Sequence, residues 1–145
     1  MKFIVCAVDR STQPLEALRY AARLSVTLSA RLVLVHVESP PYGGILVPPS
    51  APADPPDEDR WIEMVSAIIG RKPEVHFATG DPAEEIVRFA RKWRCDLIVL
   101  GSHARTAAAL ALGSTVGKVL AHAPCPVIVV PHASATVEVP SRAVA

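Results

Sequence analysis

A chain of 145 residues, 50% apolar and 20% charged, is sized for one domain with a substantial core. Its formal net charge of +1 leaves no electrostatic footprint for nucleic acid or an anionic membrane, and no apolar run approaches the roughly 20 residues that span a bilayer. Cys6, Cys95 and Cys125 are odd in number and far apart, which argues against a disulfide framework and for a reducing, cytoplasmic setting, and no C-x-x-C pair or His/Cys cluster offers a metal site.

In chain order, Phe3 to Val8 is a nearly continuous apolar run rich in β-branched residues, as in strands buried on both faces of a parallel sheet. The N-terminal MKFIVCAVDRS has one lysine and no small-residue cleavage site, and it breaks at Asp9, so it reads as a strand and not as a signal peptide. Ser11 and Thr12 can cap a helix, and Pro14 suits its first turn. Leu15, Leu18, Ala21, Leu24 and Leu28 recur at helical spacing and predict a helix to about Ala30. Leu32 to Val37 is the second strand, which completes a βαβ unit.

Residues 38–60 change character. Pro40, Pro41, Pro48, Pro49, Pro52, Pro55 and Pro56 remove donors and fix φ, so neither helix nor central strand is expected there. The stretch reads as a long, mobile surface insert, with a lid over a ligand as the sharper reading. No P-x-x-P with a basic flank marks it as a ligand for another domain.

From Asp57 to Ile69 a short helix is expected, with Trp61, Ile62, Val65, Ile68 and Ile69 on its apolar side and Gly70 at its end. Val75 to Ala78 is the third strand. Asp81 is placed as N-cap of the next helix, with Pro82 at its first position and Glu84 for a capping box. That helix turns Ala83, Ile86, Val87, Phe89 and Ala90 to the core and ends near Trp93. Leu97 to Leu100 is the fourth strand and stops at Gly101. After a loop, Gly113 precedes Ser114 and Thr115, which open a last helix with Val116, Val119 and Leu120 inward. Ala123-Pro124 stops it, Val127 to Val130 is the fifth strand, and residues 132–145 lack any period and read as a frayed tail. The alternation predicts an α/β domain with a parallel sheet and right-handed crossovers.

The stretch DLIVLGSHARTAAALALGSTVGKVLAHAPCPVIVVP, residues 96–131, is strand, Gly loop, helix N-terminus, helix, strand. It resembles the universal stress proteins, whose nucleotide-binding members carry G-x2-G-x9-G-[S/T] between the same two strands. FIVCAVDRST, LVLVHV, VHFATGDPAEEIVRFA and APCPVIVV fall in that family's order and spacing as well. The resemblance implies one domain over residues 1–131, with an adenine nucleotide alpha-hydrolase-like (Rossmann-like) fold. Its open five-stranded parallel sheet would have the order 3-2-1-4-5 and helices on both faces. It further implies ATP or another adenine nucleotide at the switch point between strands one and four, with any Mg2+ entering only with the nucleotide. Asp9, Ala7 and the Val37 backbone would hold the adenosine end. Leu100, Gly101, Ala104, Arg105, Gly113, Ser114 and Thr115 would make the phosphate side. The loop departs from the pattern twice: Ala104 stands where the family has its second glycine, and the eleven residues between Gly101 and Gly113 are one fewer than the pattern's spacing.

Each candidate also has a plainer role. Asp9 and Ser114 can be helix caps alone. A methyl group at Ala104 disfavours φ > 0, and an Ala- and Leu-rich loop favours helix over a polar nest. Arg105 is the loop's one phosphate partner. His103 can equally be a solvated loop residue, His36 and His76 read as structural, and His122 suits a helix C-terminus. Cys6 and Cys125 read as packing residues, and Cys95 as somewhat exposed. No nucleophile with a base and an orienting acid is identifiable, so no catalysis beyond slow, incidental hydrolysis is expected. The resemblance therefore implies a regulatory stress protein, a homodimer through strand five (Val127 to Val130) with an unidentified client. A ligand-free, dimeric interaction module of the same fold is the alternative. An adenylating enzyme is disfavoured by the missing Walker-type loop and metal ligands.

Overall fold

The computed structural model describes residues 3–8, 15–38, 58–102 and 114–131. The apolar runs become β1 (Phe3–Val8), β2 (Arg31–Glu38), β3 (Glu74–Thr79), β4 (Leu97–Gly101) and β5 (Val127–Val130). The periodic stretches become α1 (Leu15–Thr27), α2 (Glu58–Ile69), α3 (Pro82–Lys92) and α4 (Ser114–His122). All strand pairs are parallel, in the order β3-β2-β1-β4-β5. The insert between β2 and α2, the loop before α4 and the tail, on which several expectations fall, lie outside the described residues.

Because successive strand residues point to opposite faces, the central strands feed two cores. Ile4, Cys6, Leu32, Leu34, Leu97 and Val99 pack with α1 and α2 through Leu18, Ala21, Trp61 and Val65. Val5, Val33, Val35, Ile98 and Leu100 pack with α3 and α4 through Ile86, Ala90, Val116 and Val119. The all-apolar character of β1 and β4 follows from this double coverage. The edge strand β5 is half-buried throughout.

Backbone ties close the ends opposite the candidate site. Phe3 N–H donates to Asp96 Oδ2 at 3.0 Å, and Asp96 N–H returns to the Phe3 carbonyl at 2.9 Å. Asp81 caps α3, accepting from Glu84 N–H at 3.1 Å, with Pro82 in the first turn as expected. Gly70 ends α2 at φ 74°, a left-handed turn that glycine adopts without steric cost.

The first helix stops three residues short of the expected Ala30. Ser29 turns left-handed at φ 50°, and Ala30 N–H reaches back to the Ser25 carbonyl at 2.8 Å. This is a Schellman closure without glycine, and it throws Leu28 outward to 37% exposure. The same closure ends α3, where Arg94 has φ 49° and Cys95 N–H bonds the Ala90 carbonyl at 2.9 Å. That turn tucks Cys95 inward to 7% exposure, against the expectation of an accessible thiol. Leu120, expected on the inner face of α4, is 44% exposed, because Val116 and Val119 already fill the contact with the sheet.

Candidate functional site

The order β3-β2-β1-β4-β5 reverses direction between β1 and β4. Crossovers leave in opposite directions there, so a crevice opens at the carboxyl ends of the two strands. Pairing of Ile4 with Leu97, Val5 with Ile98 and Cys6 with Val99 fixes their register. One step further along, Ala7 comes level with Leu100. On the other side Ala7 pairs with Val35, and Val8 with His36. Ala7 and Val37 are half-buried and pack on the α3/α4 core, which contains Leu100 and Val116 from the first turn of α4. The sequence candidates Ala7, Val37, Leu100 and Thr115 are thus brought to one end of the sheet, on the face covered by α4.

Gly101 pairs with Val130, and Ser102 N–H donates to the Val130 carbonyl at 2.9 Å, so the chain stays on the sheet one residue past β4. The next described element, α4, begins at Ser114, and Thr115 is half-buried in its first turn. Backbone N–H groups of a first helical turn have no intrahelical acceptor and carry a partial positive charge. Val116 anchors that turn to the core with 2% exposure. A strand that ends in glycine and leads on to a helix N-terminus is suited to an anionic group, and the half-buried Ala7 and Val37, beside the buried Leu100, offer an apolar surface suited to a flat heterocycle. Asp9, His103, Ala104, Arg105 and Gly113 lie outside the described residues.

One residue at this end carries more than its sequence reading as a structural histidine. His36 is buried at 2% exposure, with its Nδ1 2.8 Å from the Val8 carbonyl. Trp61 and Phe77 flank the ring, with centroids 5.5 Å and 5.9 Å away. The only cue in the sequence is a polar ring inside LVLVHV, one residue before Val37.

A second set of titratable groups lies at the other end of the sheet. His76 and Arg31 both bond Glu74 at the amino end of β3, beside an aromatic group in which Phe89 and Trp93 stack at 5.4 Å. The bond from His76, then that from Arg31, holds the Glu74 carboxyl below the usual carboxylate range. Burial pushes the Cys6 thiol up to about 12, as expected of an inert core cysteine, and burial also raises Cys125 to about 12. At both positions the raised pKa disfavours the thiolate. An open groove of about 540 Å3 between α3 and α4, lined by Val87, Arg88, Arg91, Lys118 and His122 among others, receives no strand residue and is separate from the crevice. Among the described residues no group of His, Cys, Asp and Glu is placed to hold a metal, and no helix is long and apolar enough to cross a membrane.

A five-stranded parallel sheet of this order, covered by helices on both faces, defines the class: an adenine nucleotide alpha-hydrolase-like domain. A family model described as the universal stress protein family matches residues 1–131, and the chain belongs to that family. It is 30% identical to the universal stress protein MJ0531 of Methanocaldococcus jannaschii, covering 89% of this chain and 81% of that one. Among solved structures it is similar to the universal stress protein UspA from Lactobacillus plantarum, with a TM-score of 0.73 and 26% identity over 89% of this chain and 97% of the other. It is also similar to a universal stress protein from Archaeoglobus fulgidus in complex with dAMP, with a TM-score of 0.59 and 28% identity over 89% and 97%.

Proposed function

We propose that this universal stress protein binds an adenine nucleotide, ATP or AMP, at the switch point between β1 and β4. The observation that carries the reading is the convergence of Ala7, Val37, Leu100 and the first turn of α4 at the carboxyl end of the sheet. The Archaeoglobus fulgidus relative in complex with dAMP supports the ligand class. In this reading Asp9 and the Val37 backbone hold the adenosine end, against Ala7. Gly101, Gly113, Ser114 and Thr115 receive the phosphates beside Leu100, and Arg105 offers the loop's cation. Any Mg2+ arrives with the nucleotide. The chain acts as a regulator in the cytoplasm, not as an enzyme, and dimerises through β5. Ala104 and the short loop favour one second reading, a dimeric interaction module of the same fold that takes no nucleotide.

Calorimetric titration with ATP, AMP and adenosine tests this. Ser114→Ala removes a phosphate contact and weakens ATP by roughly tenfold, with adenosine unchanged. Asp9→Ala weakens ATP and adenosine alike. A chain with Ala104→Gly and one residue inserted before Leu112 restores the family spacing. If it binds where the wild type does not, the interaction-module reading describes the natural protein.

A further inference from the structure

Val8 is the last residue of β1, and its carbonyl is engaged by a side chain: His36 Nδ1 lies 2.8 Å away, in a buried setting. A carbonyl oxygen only accepts, so Nδ1 carries the hydrogen. In the neutral ring Nε2 is then a bare acceptor. Nε2 is buried and has no hydrogen-bond partner among the described residues; Glu38 Oε1 is 3.9 Å away, beyond hydrogen-bond range. An orphaned acceptor costs less than an orphaned N–H donor, so burial and the Val8 carbonyl select the same tautomer. The ring has little freedom to leave, since Trp61 and Phe77 flank it and Trp61 is itself buried.

This bond sits among the candidate adenosine contacts. Val8 lies between Ala7 and Asp9 in the chain, and His36 immediately precedes Val37. All three residues assigned to the adenosine end therefore adjoin one end or the other of a single side chain-to-backbone bond. The bond ties β1 to β2 where the crevice begins, on the sheet face opposite the one that carries Ala7 and Val37.

We propose that His36, held as its Nδ1–H tautomer, is a positioning residue for the adenine nucleotide: its bond to the Val8 carbonyl sets the end of β1 against β2, and with it the spacing of Ala7 and Val37 about the adenosine. It does so without touching the ligand. The proposal rests on the nucleotide reading above. The effect falls on the part shared by ATP, AMP and adenosine and is indifferent to the phosphates.

Two measurements test it. Long-range proton–nitrogen NMR of the wild-type chain reads the tautomer directly. We expect His36 with hydrogen on Nδ1 and a bare Nε2, and the opposite tautomer overturns the proposal. Calorimetry with ATP and adenosine then compares the wild type, His36→Phe and His36→Asn. His36→Phe keeps a ring between Trp61 and Phe77 but strands the Val8 carbonyl, and should weaken both ligands by at least about tenfold. His36→Asn places an amide N–H near the Nδ1 position and should recover most of that loss. If wild type binds and a folded His36→Phe chain binds equally well, His36 has no positioning role, while the nucleotide reading stands. Equal losses in folded Phe and Asn variants assign the effect to ring packing and overturn the hydrogen-bond role. If His36→Phe does not fold, the Asn variant and the NMR spectrum decide. Failure of the wild type to bind any of the ligands removes the nucleotide reading and this proposal together.

Discussion

Single residues in this protein divide by which end of the sheet they serve. At the amino end, Glu74 accepts from both His76 and Arg31, and Arg31 also lies over the rings of Phe3 at 5.5 Å and Trp93 at 5.9 Å. The carboxyl titrates below its usual range because the folded state gives its charged form two donors. A carboxyl depressed by folding contributes stability above its unfolded pKa of about 4.3, and that contribution is lost as pH falls through the folded value. Glu74→Gln should therefore lower stability at pH 7, by no more than about 1 kcal/mol for so exposed a cluster. The difference should shrink as pH falls through the depressed folded value, below which both chains are uncharged at this position. Urea denaturation as a function of pH measures it, and a gap undiminished down to strong acid would mean packing, not charge, was lost. At the carboxyl end, His36 shows where residue-level reading of the sequence stops. A histidine in an apolar strand announces that a partner is needed, but that the partner is the Val8 carbonyl depends on a register between strands that the sequence does not contain.

Among the elements, the two sheet edges are unlike. Edge strand β3 carries Glu74 and His76 and is half-exposed at Phe77, whereas β5 is Val-Ile-Val-Val without a charge and only half-buried. Charges blunt an edge against pairing with another chain, and an uncharged apolar edge invites it. The β5 edge should pair with its own copy in a two-fold dimer. Sedimentation at micromolar concentration should find the wild type dimeric and Val129→Lys monomeric or insoluble; a monomeric wild type refutes the interface. Element existence was readable because buried parallel strands write unbroken apolar runs and two-sided burial leaves little ambiguity, as in Phe3 to Val8. Helix ends were less readable. The closures at Ser29 and Arg94 put ordinary residues into a left-handed turn that composition assigns to glycine, so Leu28 and Cys95 fell on the wrong side of the surface.

For the molecule as a whole, topology does what no motif does alone. The chain separates β1 from β4 by three helices and two strands, and the sheet order then sets them side by side. Ala7, Val37 and Leu100, far apart in sequence, meet on one face of the sheet near its carboxyl end. Their convergence was legible only through family resemblance, since the sequence by itself gives strands without their order. With a net charge of +1 there is no broad field to draw an anion, so the proposed nucleotide would depend on local groups at the switch point and the α4 N-terminus. The central claim, an adenine nucleotide held at this crevice, is tested most directly by native mass spectrometry of the purified chain with added ATP. The account predicts one nucleotide mass per subunit in the wild type, sharply reduced in Asp9→Ala. A wild-type chain that stays at its bare mass with millimolar ATP, or an Asp9→Ala chain that retains the nucleotide undiminished, would contradict it.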